Sequence, residues 1–252
     1  MEITMKKNLI FHCYLRETKS VDDATSLHMK CLDHYQMIFD GKKIACISSD
    51  EDNLNLNYLL SKVESLKIFD EIFFIKNHSQ NRESESLLDL LSKVNLDDGS
   101  ITFYAHNKGS THSLDDVLKN WILSMYFFNL EKEYIQEIEH QLEKKFTSSG
   151  ILKKDWKWQG IHDASGEWHY SGAFFWFNQH LFLDYDWRSF NKGRMSLESY
   201  LGQRVPTQKA YSTFVNKNYN FNIDQQFWDE ELRPEKIGHE IMNRFSSLFH
   251  KF

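Results

Sequence analysis

The strongest constraint on the fold is a regular alternation of strand-like and helix-like segments through the first half of this 252-residue chain. Short apolar runs recur, and longer stretches with apolar residues at helical spacing separate them. The predicted strands are NLIFHCYL, KKIACISS, EIFFIK and ITFYAH. Strands joined by helices of this length pair in parallel through right-handed crossovers, so helices cover both sheet faces. The pattern therefore predicts an α/β fold with a mostly parallel central sheet.

The second half is less regular. Ser113 is a predicted N-cap, after which the sequence indicates one long helix or two helices joined near Asn129. The segment 148–150, Ser-Ser-Gly, is predicted to end this helical part. From Trp156 onward aromatic residues crowd a pattern of loop and strand, and residues 234–249 predict a final helix. Neither a repeat nor a flexible linker appears, so residues 1–252 are predicted to form one domain.

Charge and cysteine content exclude several classes of protein. A net charge of -6 with mixed signs along the chain disfavours binding to a nucleic-acid backbone. Cys13, Cys31 and Cys46 are odd in number and lack paired-ligand spacing, so they are predicted to be buried thiols in a reducing compartment. No run is long enough to span a bilayer, and the amino terminus lacks a cleavage site. We expect a cytoplasmic protein, and work at the inner membrane surface stays open.

The segment AHNKGST places polar residues where the fourth predicted strand ends. In open parallel sheets, ligands bind beyond the carboxyl ends of the strands. Lys108 and the backbone amides of a glycine turn there could face an anion, which predicts a cradle for a diphosphate. The spacing is not that of a phosphate loop. Alternatively, residues 107–109 form an ordinary turn and Lys108 is solvated.

Two acidic pairs are candidate ligand sites. Asp50 and Asp52 follow the second strand, where they could bind a magnesium or manganese ion, a ribose or a base, or cap the next helix. Asp184 and Asp186 have a spacing that suits a metal-bridged diphosphate, although such a pair alone is a weak signal. Separately, Arg194 and Glu198 lie one turn apart on a predicted short helix, where they could serve a ligand or pair with each other.

The segment HYSGAFFWFN combines small and aromatic residues. Ser171 and Gly172 would let a ligand approach the backbone closely. Phe174, Phe175 and Trp176 alternate sides of a strand, so one aromatic face could contact a sugar ring. The alternative is a core strand filled with aromatic side chains, which we favour for Phe174.

Taken in order, these segments resemble a glycosyltransferase-like family with a GT-A type nucleotide-diphospho-sugar fold. YAHNKGSTH resembles its strand-end HTKG signature, and VLKNWILSMYFFNL resembles its tryptophan-bearing helix. HYSGAFFWFN resembles HFSGNFWWAN, and RMSLESYLG resembles a closing arginine with an E-W-I-G pattern. The matching positions are Trp121, Met125, Tyr126, Gly160, His169, Ser171, Gly172, Phe175, Trp176, Asn178, Arg194, Glu198, Tyr200 and Gly202.

The chain departs from the family pattern at three positions. Asn107 replaces a threonine, Ala173 replaces an asparagine, and Phe177 replaces a small residue. The change at Ala173 removes an amide that could contact the sugar or the acceptor. The family pattern also supplies no DxD at the fourth strand end, where His106 to Lys108 stand instead.

The resemblance implies a glycosyltransferase that moves a sugar from a nucleotide-diphosphate donor to an acceptor hydroxyl, in bacterial or phage surface-glycan synthesis. It implies a nucleotide-sugar-binding half at 1–112, a helical segment at 113–147 and an acceptor-side half at 148–252. The donor is a nucleotide-diphospho-sugar, and the acceptor is a glycan, a lipid-linked molecule or a protein. Mn²⁺ or Mg²⁺ is the expected cofactor, unless Lys108 and His106 replace the metal.

The implied site residues fall into four groups. The catalytic group is Glu198, Lys108 and His106, with Glu198 as general base in an inverting reaction or as stabiliser of positive charge in a retaining one. The nucleotide-sugar-binding group is Asp50, Asp52, Asn107, Gly109 and Arg194. The acceptor and sugar group is His169, Ser171, Gly172 and Trp176. Metal candidates are Asp184 and Asp186.

Three other classes stay open at this stage. A non-catalytic carbohydrate-binding module would bind glycans without nucleotides. An interaction protein on a degenerate transferase fold would bind neither. A metal-dependent phosphohydrolase using Asp50, Asp52 and Asp184 would release nucleotide monophosphate and a sugar phosphate.

Overall fold

A computed structural model describes residues 5–15, 20–49, 61, 63–64, 67–76, 83–94, 96, 99–107, 109, 113–154, 166–189, 196–213, 241, 243 and 245. Of Ser171 and Glu198 it describes the backbone alone.

One seven-stranded sheet organises these residues, and a two-stranded sheet lies beside it. The strands are β1 (Lys7–Leu15), β2 (Lys43–Ser49), β3 (Glu71–Lys76), β4 (Ile101–His106), β5 (Ser148–Gly150), β6 (Lys153–Lys154), β7 (His169–Tyr170), β8 (Phe175–Asn178) and β9 (Ala210–Ser212). The large sheet has the order β3-β2-β1-β4-β8-β5-β9, and β6 pairs with β7.

Only β8 runs against the other strands of the large sheet. β1 pairs in parallel with β2 and β4, and β2 pairs in parallel with β3. β8 is antiparallel to both β4 and β5, while β9 is parallel to β5. The four strands predicted from the sequence are confirmed, and so is the predicted class: an α/β fold with a mostly parallel sheet.

Helices cover both faces of this sheet. They are α1 (Ser20–Tyr35), α2 (Glu83–Lys93), α3 (Asp116–Leu130), α4 (Lys132–Lys144), α5 (His180–Leu183) and α6 (Ser196–Ser199). Short 3₁₀ turns span Gln36–Ile38, Ser171–Ala173, Leu201–Gln203 and Thr207–Lys209. Among the described helices, none has the length and apolar character to cross a bilayer.

Alternation along the strands produces two apolar cores. Trp176 of β8 and Phe174, which immediately precedes the strand, pack with α1, α3 and α4. Phe175 and Phe177 of β8 pack on the opposite face with α2 and α5. This period of two matches the predicted alternation of the aromatic segment. All four side chains are buried, so the segment supplies core rather than surface.

The structure corrects one local prediction and makes two others more specific. The N-cap of α3 is Asp115, whose Oδ1 accepts a hydrogen bond from the Leu118 amide at 2.8 Å, rather than Ser113. The helical part is two helices that meet at Glu131, whose amide closes α3 on the Phe127 carbonyl. The segment Ser148–Gly150 is a buried strand, because β8 and β9 supply its backbone partners on both sides.

Two of the three described residues of the predicted final helix, Ile241 and Phe245, belong to the core, and Asn243 is exposed. Ile241 and Phe245 are fully buried. The Phe245 ring meets the rings of His34 and Tyr35 at the end of α1, with centroids 5.7 and 5.9 Å apart. The late part of the chain therefore packs on its first helix.

Candidate functional site

The carboxyl ends of the parallel strands lie at the same edge of the sheet as the beginning of β8. Tyr104 of β4 stands opposite Phe175 of β8 in antiparallel register. The residues just before Phe175 therefore come close to His106, where β4 ends. We call this side of the sheet the carboxyl edge.

His106 joins the two segments that the sequence analysis singled out separately. Its Nε2 lies 2.8 Å from the carbonyl oxygen of Gly172. The imidazole is 5% exposed and lies near the rings of Tyr104 and Phe174, with centroids 6.3 and 5.6 Å away. The strand-end segment and the Ser171–Ala173 turn thus form one structure at the carboxyl edge.

Asn107, predicted to bind the nucleotide sugar, is buried and uses its side chain on the neighbouring strand. Its Oδ1 accepts from the Tyr14 amide at 2.9 Å, and its Nδ2 donates to the Tyr14 carbonyl at 2.7 Å. Nδ2 also donates to Thr25 Oγ1 at 3.0 Å. The amide therefore replaces backbone pairing where β1 and β4 end, which gives Asn107 a structural task.

Gly109 adopts a φ of +86°, in the left-handed region that favours glycine. A Cβ atom at this position would come within 2.6 Å of Leu118 Cδ2 on α3. Conformation and close packing together account for this glycine, and its contact with a nucleotide stays a prediction.

The Ser171–Ala173 turn has an unusual backbone. Gly172 has a φ of +79° and Ala173 a φ of +53°. Alanine rarely adopts this region, because its Cβ approaches the following carbonyl oxygen. A Cβ on Gly172 would lie 3.3 Å from Met125 Sδ and 3.4 Å from Trp121 Cζ2. Two of the three α3 residues matched by the resemblance, Trp121 and Met125, thus lie directly against the turn.

The short helix α6, which carries Glu198, packs against this turn and against β7, and it also meets α2. Leu197 and Tyr200 are buried beside Glu198, and the Tyr200 hydroxyl donates to the Trp187 carbonyl at 2.9 Å. The chain thereby brings α6 to the carboxyl edge, next to the place where His106 binds the turn. The fold thus brings α6, the helix that carries Glu198, to the turn that His106 binds.

The other predicted sugar-site residues are mostly buried. Trp176 is fully buried, and its indole Nε1 donates to the Asn129 carbonyl at 3.0 Å, so it packs in the core. His169 is buried in β7 opposite Lys154. Their roles as sugar contacts stay predictions.

Four predicted site residues, Asp50, Asp52, Lys108 and Arg194, lie outside the described residues.

A buried histidine network beneath the carboxyl edge was missed by sequence reasoning. His12 Nε2 lies 3.1 Å from Ser48 Oγ, and His12 Nδ1 lies 3.2 Å from the Tyr104 hydroxyl. The three side chains are fully buried and cross-link β2, β1 and β4. A histidine inside the apolar run LIFHCYL was the available signal. The network fixes the spacing of the strand ends that bear the candidate site.

The metal candidates Asp184 and Asp186 are exposed where α5 ends. Asp184 Oδ2 lies 3.2 Å from His180 Nδ1, one helical turn away, and both side chains are more than half exposed. Within the described part of the chain, no three His, Cys, Asp or Glu residues come together as metal ligands. The described residues alone therefore do not fit a metal site.

Burial controls the ionisation of several core groups. The three cysteines are buried thiols, as predicted. Burial raises the pKa of Cys46 to about 12 and also raises the pKa of Cys31. Burial likewise raises the pKa of the Tyr126 hydroxyl, which lies 2.9 Å from His28 Nδ1. These groups are neutral members of the core at neutral pH.

Neither a family model nor a curated protein matches the chain. Among solved structures, it is similar to 4-diphosphocytidyl-2C-methyl-D-erythritol synthase from Anaerococcus prevotii, with 11% identity, a TM-score of 0.43, and coverage of 89% of this chain and 96% of the other. A Pyrobaculum calidifontis mannosyltransferase in complex with GDP-Man and Mn²⁺ matches at 10% identity and a TM-score of 0.41, over 96% and 70%. S. aureus TarS matches at 11% and 0.39, over 96% and 72%. At these scores the likeness carries no function to this chain.

Proposed function

We propose that this chain is a glycosyltransferase that moves a sugar from a nucleotide-diphosphate donor to an acceptor hydroxyl. The observation that carries the proposal is the hydrogen bond between His106 and Gly172. It joins the strand end that leads to Lys108 with the turn against which the Glu198 helix packs. In this proposal the Lys108 cation and the Glu198 carboxylate act at the carboxyl edge, since departure of a diphosphate and activation of a hydroxyl require such groups.

In this mechanism the nucleotide lies over the carboxyl ends of the first four strands. Asp50 contacts the ribose or the base, and Lys108 neutralises the charge that develops on the departing diphosphate. Glu198 takes the proton of the acceptor hydroxyl if the anomeric configuration inverts. If the configuration is retained, Glu198 instead stabilises the positive charge on the sugar ring.

The carbohydrate-binding alternative was motivated by the aromatic strand and by the missing DxD. Phe174, Phe175, Trp176 and Phe177 are each at most 3% exposed, so this strand offers no aromatic platform at the surface. The proposal therefore keeps the transferase as its one function.

Thermal unfolding of the purified protein with UDP, GDP, CMP and nucleotide sugars, with and without Mn²⁺, tests the proposal. A ligand present at 100 times its Kd stabilises the folded state by about 2.7 kcal/mol. For a chain of this size, this raises Tm by roughly 5 to 10 °C. We expect one nucleoside diphosphate and its sugar conjugate to give such a shift. No shift with any of them at millimolar concentration would contradict the proposal.

Glu198→Gln tests the proposed carboxylate, since it keeps the side-chain shape and removes the charge. We expect this variant to bind the nucleotide and to lose transfer. Unchanged donor hydrolysis and transfer would return Glu198 to the simpler role of a helix partner for Arg194.

A further inference from the structure

We infer that His106 is a positioning residue: its Nε2–H holds the Ser171–Ala173 turn in its left-handed conformation and so fixes the place of α6 with Glu198. The inference rests on the proposed transferase. It gives His106 a different task from the one implied by the resemblance, which was to help Lys108 neutralise the leaving diphosphate.

The hydrogen bond itself fixes which nitrogen carries a proton. The Gly172 carbonyl can only accept, so His106 Nε2 is the donor over their 2.8 Å separation. A ring that is 5% exposed between Tyr104 and Phe174 is poorly placed to meet the charge of a solvent-borne diphosphate. Its geometry suits a hydrogen-bond donor to the backbone.

The turn that accepts this bond needs an anchor. Gly172 and Ala173 are consecutive residues with positive φ, at +79° and +53°. Glycine adopts this region freely, but alanine is strained there. Such a conformation persists where surrounding contacts hold it, and the His106 bond acts on the carbonyl between the two residues.

The anchored turn is also what α6 packs against. A turn that relaxed toward ordinary φ values would move its own backbone and the surface that supports α6. Catalysis is sensitive to displacements of about 1 Å, which lower rates by on the order of 100-fold. Loss of the anchor should therefore lower kcat while nucleotide binding at the strand ends persists.

Two neutral amides at position 106 separate positioning from charge chemistry. His106→Gln places its amide near the position of Nε2, from which it can donate to Gly172. His106→Asn is one methylene shorter and reaches only the Nδ1 position. Neither amide side chain titrates near neutral pH. If His106 acts as an acid, a base or a cation, both variants should therefore lose that function equally.

Strain at Ala173 supplies a second, independent variant. Ala173→Gly removes the Cβ that disfavours positive φ, so the turn keeps its shape with less help from His106. We expect Ala173→Gly to restore part of the turnover that His106→Asn loses. A role for His106 in charge neutralisation predicts no such rescue.

The experiment measures kcat, KM, the pH profile of donor hydrolysis and the nucleotide-induced rise in Tm for these variants. His106→Asn should lose on the order of 100-fold in kcat with a nearly unchanged KM. His106→Gln should keep most of the turnover and the wild-type pH profile. His140→Gln and His140→Asn, at an exposed histidine of α4, are the matched controls and should resemble wild type.

An equal loss of turnover in His106→Gln and His106→Asn, or a missing limb in the pH profile of His106→Gln, would overturn the positioning role. Nucleotide binding would still support the transferase in that case. No nucleotide-induced shift in the wild-type protein would overturn the transferase and the positioning role together.

Discussion

Gly202 shows how one residue can matter to the site without touching a ligand. A Cβ at this position would overlap the Trp168 carbonyl, because the two backbones cross at contact distance. The Glu167 amide donates to the Gly202 carbonyl at 3.1 Å in the same crossing. The closing glycine of the matched RMSLESYLG segment is therefore explained by packing just after α6.

We expect Gly202→Ala to lower the free energy of unfolding by about 3 kcal/mol, since backbone atoms cannot move aside as a flexible side chain can. Denaturant unfolding measures this value. Gly99→Ala is the matched control: Gly99 has a φ of +76° with no atom within 4 Å of a built Cβ. It should lose only about 1 kcal/mol from backbone strain. Equal losses would mean that the crossing tolerates a methyl group.

Lys108 is the residue on which the proposed chemistry depends most. We expect Lys108→Ala to lower turnover by about 100-fold or more, because an electrostatic contact to the leaving group is made chiefly in the transition state. Lys144→Ala, at an exposed position of α4, is the control and should leave kcat unchanged. Steady-state kinetics measure the turnover of both variants, and Tm checks that each variant is folded. Wild-type turnover would remove Lys108 from the mechanism.

At the scale of elements, strands that depend on apolar periodicity can be predicted from the sequence, whereas strands that depend on their pairing partners are missed. Strands β1 to β4 follow from apolar runs bounded by polar residues. The strand β5 is Ser-Ser-Gly, a composition typical of a loop, and only β8 and β9 make it a strand. The same distinction applies to the candidate site. The strand end and the Ser-Gly turn could be named, but their bond through His106 depends on the position of β8.

The cap of α3 allows a direct comparison between sequence and structure. Asp115→Ala should destabilise the protein by about 1 kcal/mol, because the Leu118 amide loses its acceptor. Ser113→Ala, at the position favoured by the sequence, should change stability by less than about 0.5 kcal/mol. Urea unfolding of the two variants is the measurement. A larger loss for Ser113→Ala would restore the original prediction.

For the whole molecule, the burial of cysteine and tyrosine side chains in their neutral forms predicts a loss of stability at alkaline pH. The folded-state pKa of Cys46 is about 12, whereas an unfolded cysteine has a pKa of about 8.5. The neutral thiol therefore contributes stability that is fully present below about pH 8.5 and is lost as pH rises toward 12. Each such group accounts for up to about 1.4 kcal/mol per pH unit in this window.

Guanidinium unfolding from pH 7 to pH 10.5 should show this decline. Cys46→Ala removes one titrating group, so its stability should fall less steeply with pH than that of wild type. Cys31 and Tyr126, whose pKa values burial also raises, would account for the decline that remains. Identical slopes for the two proteins would show that Cys46 ionises in the folded state as readily as in the unfolded one.

The position of β8 has a consequence for synthesis in the cell. β4 leaves the ribosome before β8, yet β8 supplies the partner for its outer side. Until Asn178 emerges from the exit tunnel, β4, a strand of six buried residues, has β1 on one side and an unpaired edge on the other. Such an edge is a template for pairing with another nascent chain. Codons between β4 and β8 that slow translation would lengthen this exposure, so aggregation in the cell should depend on elongation rate over this interval.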